Sequence, residues 1–88
     1  MQKLKFYLGE ERHVRLLIHA TNGEPFAIRD ARYELKCAGQ TEAEGECIID
    51  GYVIDARICP QRRAGYQLYF TYRVADETLM ECVEVAVM

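Results

Sequence analysis

Apolar and polar residues alternate with period two along most of the chain, the pattern of strands whose two faces meet different surroundings. Leu4, Phe6 and Leu8 share one face of the first run. In the second run Val14, Leu16 and Ile18 share a face, and Leu17 falls on the other side beside Arg15 and His19. Ala31, Tyr33, Leu35 and Cys37 then oppose Arg32, Glu34 and Lys36. A helix over the same residues would group Ala31, Glu34, Leu35 and Ala38, a poorer apolar stripe. Tyr52, Ile54, Ala56 and Ile58 alternate with Val53, Asp55 and Arg57; Tyr66, Leu68, Phe70, Tyr72 and Val74 alternate with Gln67, Tyr69, Thr71 and Arg73. The final run aligns Leu79, Val83, Val85 and Val87, and Glu81 interrupts that face, which predicts a bulge or a frayed edge there.

Turn chemistry separates these runs. Gly9-Glu10-Glu11, Thr21-Asn22-Gly23-Glu24-Pro25, Asp50-Gly51, the loop from Pro60 to Gly65, and Ala75-Asp76-Glu77-Thr78 supply positive φ, a missing donor or solvated side chains. The residues after Ala38, with Glu42, Glu44 and Glu46, read as a polar connection. The punctuation predicts seven strands near 3–8, 12–20, 27–38, 44–50, 52–59, 66–75 and 79–87. Seven short strands at this spacing predict an all-β fold, an immunoglobulin-like Greek-key sandwich of antiparallel strands in one domain spanning 1–88, with a barrel as the structural rival. The expected core is Leu4, Phe6, Val14, Leu16, Ile18, Tyr33, Leu35, Ile49, Ile54, Ile58, Tyr66, Leu68, Phe70, Tyr72, Val83 and Val85.

Composition sharpens this picture in two ways. Six Tyr and three Phe with no Trp suit strands, and half of the 88 residues are apolar, enough for one core. The formal charge of −3 argues against a nucleic-acid module, which carries a basic face. The first ten residues lack the apolar run of a signal peptide, and no stretch approaches the roughly 20 apolar residues of a membrane helix. These features predict a soluble, cytoplasmic product with no membrane partner.

Candidate chemistry is sparse. Cys37, Cys47, Cys59 and Cys82 form no Cys-x-x-Cys motif and read as free, small apolar side chains. If the segment between Cys37 and Cys47 formed a hairpin loop, those two would lie opposite each other, within reach of a disulfide. His13 and His19 share a strand, six residues or about 20 Å apart, too far to hold one metal ion. The chain has no Ser, so a Ser-His-Asp triad is excluded, and no Cys has a His close in sequence. Glu42, Glu44 and Glu46 alternate along one face, the device by which an exposed strand edge is kept solvated. Arg62 and Arg63, near Arg57, read as a solvated loop. The expectation is a non-enzyme without metal or other cofactor. Tyr7, Leu17, Val53 and Tyr69 point away from the apolar faces of their strands and are the candidate interface residues.

Two resemblances follow from particular segments. Ile58-Cys59-Pro60 followed by Ala64-Gly65-Tyr66-Gln67-Leu68-Tyr69-Phe70 resembles the corner before the F strand of fibronectin-type and other immunoglobulin-like domains. There a tyrosine hydroxyl bonds back to upstream backbone, and the resemblance gives that structural role to Tyr66. Tyr33-Glu34-Leu35-Lys36, Ile48-Ile49-Asp50-Gly51-Tyr52-Val53, Ala64-Gly65-Tyr66 and Val83-Glu84-Val85-Ala86-Val87 follow the order seen in small sandwich domains of bacteriophage virion proteins. The chain is similar over 28–87 to the N-terminal domain of phage baseplate upper proteins. That likeness implies a structural or assembly module in a virion, acting through protein partners or self-association. A carbohydrate- or small-ligand-binding sandwich is the alternative, with Tyr rings as stacking platforms.

Overall fold

The computed structural model describes residues 2–19 and 23–88; the predicted Thr21-Asn22 turn and Ala20, the last residue of the predicted second strand, lie outside the described residues. The described chain is all-β. Its eight strands are β1 (Gln2–Phe6), β2 (Arg12–Leu17), β3 (Ile28–Cys37), β4 (Gln40–Glu46), β5 (Ile48–Asp50), β6 (Val53–Ile58), β7 (Gly65–Val74) and β8 (Glu77–Val87). They form a five-stranded sheet in the order β1-β8-β7-β3-β4 and a three-stranded sheet in the order β2-β6-β5.

Alternation sets which residues face inward. Phe6, Leu35, Leu68 and Phe70 from the larger sheet and Ile54 from the smaller are fully out of water. Val14, Leu16, Ala56, Ile58, Tyr66, Val83 and Val85 extend the same cluster, so both sheets bury one face against a common interior. Leaving such side chains exposed costs about 1.5–3 kcal/mol each, which is why a slip of one residue in register is strongly disfavoured.

Several expectations need correction. There are eight strands, not seven: the predicted 44–50 strand is two, broken at Cys47, because the polar run Gln40–Glu46 pairs with β3 as an edge strand of the larger sheet. An edge strand needs little apolar surface, so its polarity disguised it. One pairing is parallel rather than antiparallel. β1 runs alongside β8, with Leu4 opposite Val85 and Phe6 opposite Val87, because the turn at Gly9 (φ 92°) carries the chain from one sheet to the other instead of closing a hairpin onto β2. No bulge occurs at Glu81; β7 and β8 pair without interruption from Gly65↔Ala86 to Val74↔Glu77. The Tyr72 hydroxyl donates to Glu81 at 3.4 Å, and the start of β8 is exposed, so the carboxylate keeps its solvation. The irregularities instead fall on β3, between Leu35 and Lys36 against β4 and between Arg29 and Arg32 against β7.

The expected core is largely inside. Leu4 and Tyr33 are half-buried and pack against it, whereas Ile49 is exposed because β5 is a short edge strand. Ile28, Ala31, Ala56 and Val87 are buried members that the expected core lacked.

The β3–β4 hairpin turns through Ala38 (φ 52°) and Gly39 (φ 78°). Only glycine occupies that left-handed region without steric cost. Ala38→Gly is expected to raise unfolding stability by about 0.5–1 kcal/mol in a denaturant titration, the reverse of the usual effect of glycine in a strand protein.

Candidate functional site

The most developed polar arrangement is a knot around Tyr66. The register shift in the β3–β4 pair leaves Glu42 without a Cα partner, since Ala43 faces Leu35 while Thr41 faces Lys36. A bulge of this kind re-aims the extra side chain. The Glu42 carboxylate leaves the edge and meets the loop before β7. It accepts the Tyr66 hydroxyl proton at 2.6 Å and the Gln61 backbone N–H at 3.2 Å. The Tyr66 oxygen in turn accepts the Arg62 N–H at 3.1 Å. Glu42, Glu44 and Glu46 therefore do not share one solvated face. Burial, reinforced by the bond to Glu42, pushes the Tyr66 phenol up to about 12, so it stays protonated and serves as an anchor between an edge strand and a loop.

The cysteines stay apart. The tight turn places Cys37 opposite Gln40, while the Cys47 N–H donates to Ala31 O at 2.9 Å, six strand residues away from Cys37. At about 3.3 Å per residue that separation is some 20 Å, so no Cys37–Cys47 disulfide forms. All four thiols are free. Burial, with the Asp55 charge adding to it and Arg32 opposing it, pushes the Cys47 thiol up to about 11. Cys82 is also raised, by burial and then by Glu84. Neither is an activated thiolate.

On the outer face of the smaller sheet, Asp55 accepts from His13 Nδ1 at 2.8 Å and from Arg15 Nε at 3.1 Å. His19 lies exposed beyond the end of β2. Among the described residues no three His, Cys, Asp or Glu side chains gather as metal ligands. Arg57 pairs with Glu11, and Arg62 and Arg63 lie exposed in their loop.

The four candidate interface residues do not share one surface. Leu17 and Val53 are Cα partners on the outer face of the smaller sheet, Leu17 being 54% exposed. Tyr69 lies on the outer face of the larger sheet, opposite Cys82 and Glu34, with the Lys36 ammonium 5.6 Å from its ring centre. Tyr7 sits in the turn after β1, its N–H held by Glu10. Beside Leu17 and Val53 the structure adds two residues that sequence reasoning assigned only to strands. Ile48 is 66% exposed, and Tyr52, placed in the two-residue turn after β5, stacks on Phe26 with ring centres 4.5 Å apart. Leu17, Pro25, Phe26 and Tyr52 line a groove of about 270 Å³. The signal was the Ile48-Ile49 doublet next to Asp50-Gly51: a strand of three residues cannot bury both of its faces.

Tyr66 yields a test. Its folded value lies above the ordinary 10.0, so its stabilising contribution is present below pH 10 and is lost as pH rises through about 12. Alkaline unfolding of the wild type should show a loss on the order of 2 kcal/mol across that window. Tyr66→Phe should flatten this part of the profile and cost about 1–2 kcal/mol at neutral pH, because Arg62 N–H and Glu42 lose their partner. Comparison of the chain with family models, curated proteins and solved structures finds no match.

Proposed function

We propose that this chain is an immunoglobulin-like Greek-key sandwich working as a non-catalytic assembly module, a structural component of a phage or prophage virion. Two features support the fold reading. The orders β2-β6-β5 and β3-β7-β8 support it, because the B-E-D and C-F-G strands of such a sandwich run in the same orders. Tyr66, at the start of β7, bonds through its hydroxyl to backbone four residues upstream, as the tyrosine of that corner does. The virion setting rests on the sequence resemblance over 28–87.

The observation that carries the assembly reading is the exposed apolar strip on the smaller sheet. Leu17 and Val53 pair across β2 and β6, Ile48 lies opposite Asp55, and Tyr52 stands at the turn. Apolar side chains grouped on a sheet face favour burial against protein. The residues flanking the strip, Arg15, His13 and Asp55, neutralise one another, so desolvating them costs less than burying lone charges.

The stacked Phe26 and Tyr52 rings beside their groove favour a second reading, a site for a carbohydrate or small ligand. Light scattering over a concentration series separates the two. The assembly reading expects a defined oligomer that Leu17→Asp with Ile48→Asp returns to monomer while the far-ultraviolet spectrum is unchanged. A wild type that remains monomeric at the highest concentration, with Tyr52 ring resonances that shift on adding oligosaccharides, would establish the ligand reading instead.

A further inference from the structure

Several of the chain's cations sit in ion pairs. Lys3, Arg12, Arg15, Lys36 and Arg57 each lie beside a carboxylate. The outer face of the larger sheet departs from this at one end. Arg29 on β3 and Arg73 on β7 are Cα partners. Directly opposed side chains in such a pair have Cβ atoms about 5 Å apart, and like charges placed so repel. Arg32, next along β3 after the bulge, faces Thr71, two residues from Arg73. Three arginines thus lie close together in the β3–β7 register of a chain whose net charge is −3. Asp30 in the bulge, Glu46 opposite Arg32 and Asp76 in the β7–β8 turn are the nearby acids, and among the described residues none is ion-paired to any of the three.

Two details turn this cluster into a site. Arg29 is held in place, because a terminal nitrogen donates to Ala75 O in the turn. Arg73 Nε is buried and has no hydrogen-bond partner, the one such side-chain atom among the described residues. A buried charged donor left unsatisfied costs more than a neutral one, and a water or an anion from outside the chain can supply the partner. The edge of a guanidinium offers Nε–H and a terminal N–H in parallel, a fork that fits two oxygens of one oxyanion. Opposed cations ask for more than one negative charge. A tetrahedral dianion presents oxygens to both forks at once, whereas a carboxylate has oxygens and charge for only one.

We propose that Arg29 and Arg73, with Arg32 beside them, clamp a phosphate-type oxyanion, and that its oxygens complete the bonding of Arg73 Nε. The site lies on the larger sheet and the apolar strip on the smaller one, and the readouts below follow anion binding without requiring assembly. Inorganic phosphate is titrated against the wild-type protein, with chloride and acetate at matched ionic strength, while the Arg73 Nε–H resonance and the melting temperature are followed. Phosphate should shift the resonance saturably and raise the melting temperature, and acetate should do so roughly tenfold more weakly. Arg73→Lys keeps the charge but removes Nε–H, and should weaken phosphate binding by about tenfold or more. A phosphate response no larger than that to chloride overturns the proposal. So does an undiminished response in Arg73→Lys.

Discussion

The interior shared by two unequal sheets is the constraint on which the rest depends. Five strands meet three, and the overlap is where Phe6, Leu35, Leu68, Phe70 and Ile54 leave water entirely. The smaller sheet cannot cover the larger one completely. The mismatch leaves the beginning of β8 exposed and obliges β4, at the far edge, to be polar. It also explains why a tyrosine and not an aliphatic residue sits at position 66. The body of the ring fills the apolar layer, while the hydroxyl reaches the rim and fastens a loop to the edge strand through Glu42. Packing and polar anchoring are therefore done by one side chain.

Much of this was legible in the sequence because period-two alternation reports directly on a half-buried sheet. β2, β3, β6 and β7 follow from it nearly residue for residue, as do their inward faces. The failures share a physical origin: a strand at an edge need not alternate. Gln40–Glu46 is rich in carboxylates and looked like a connection, yet its backbone pairs with β3 on both sides of the bulge at Glu42. Ile49 looked like core, yet a three-residue edge strand leaves it in solvent. The bulge that turns Glu42 inward is set by hydrogen-bond register, which side-chain types do not encode. The parallel pairing of β1 with β8 joins residues from the two ends of the chain, beyond the reach of any local pattern.

The candidate surfaces show the same division. Leu17 and Val53 were identifiable as outward-facing because they break the alternation locally. Their companions Ile48 and Tyr52 were not, since their exposure depends on where β5 ends and its turn begins. The arginine cluster was invisible for a further reason. Arg29 and Arg73 are 44 positions apart, and only the antiparallel register of β3 with β7 brings them face to face. Polar surfaces built across strands are a product of topology, whereas the apolar faces that create the topology are written along each strand.

The β1–β8 pairing bears on how the molecule comes to be made. Among the described residues β1 has β8 as its only strand neighbour, with Gln2 against Val83 and Phe6 against Val87. During synthesis β1 emerges from the ribosome and then waits, without a hydrogen-bonding template, until β8 has been translated. Phe6 stays unsheltered for that interval. Closure of this sheet is thus a step of high contact order, the kind that makes folding slow and leaves partly folded chains in the care of chaperones.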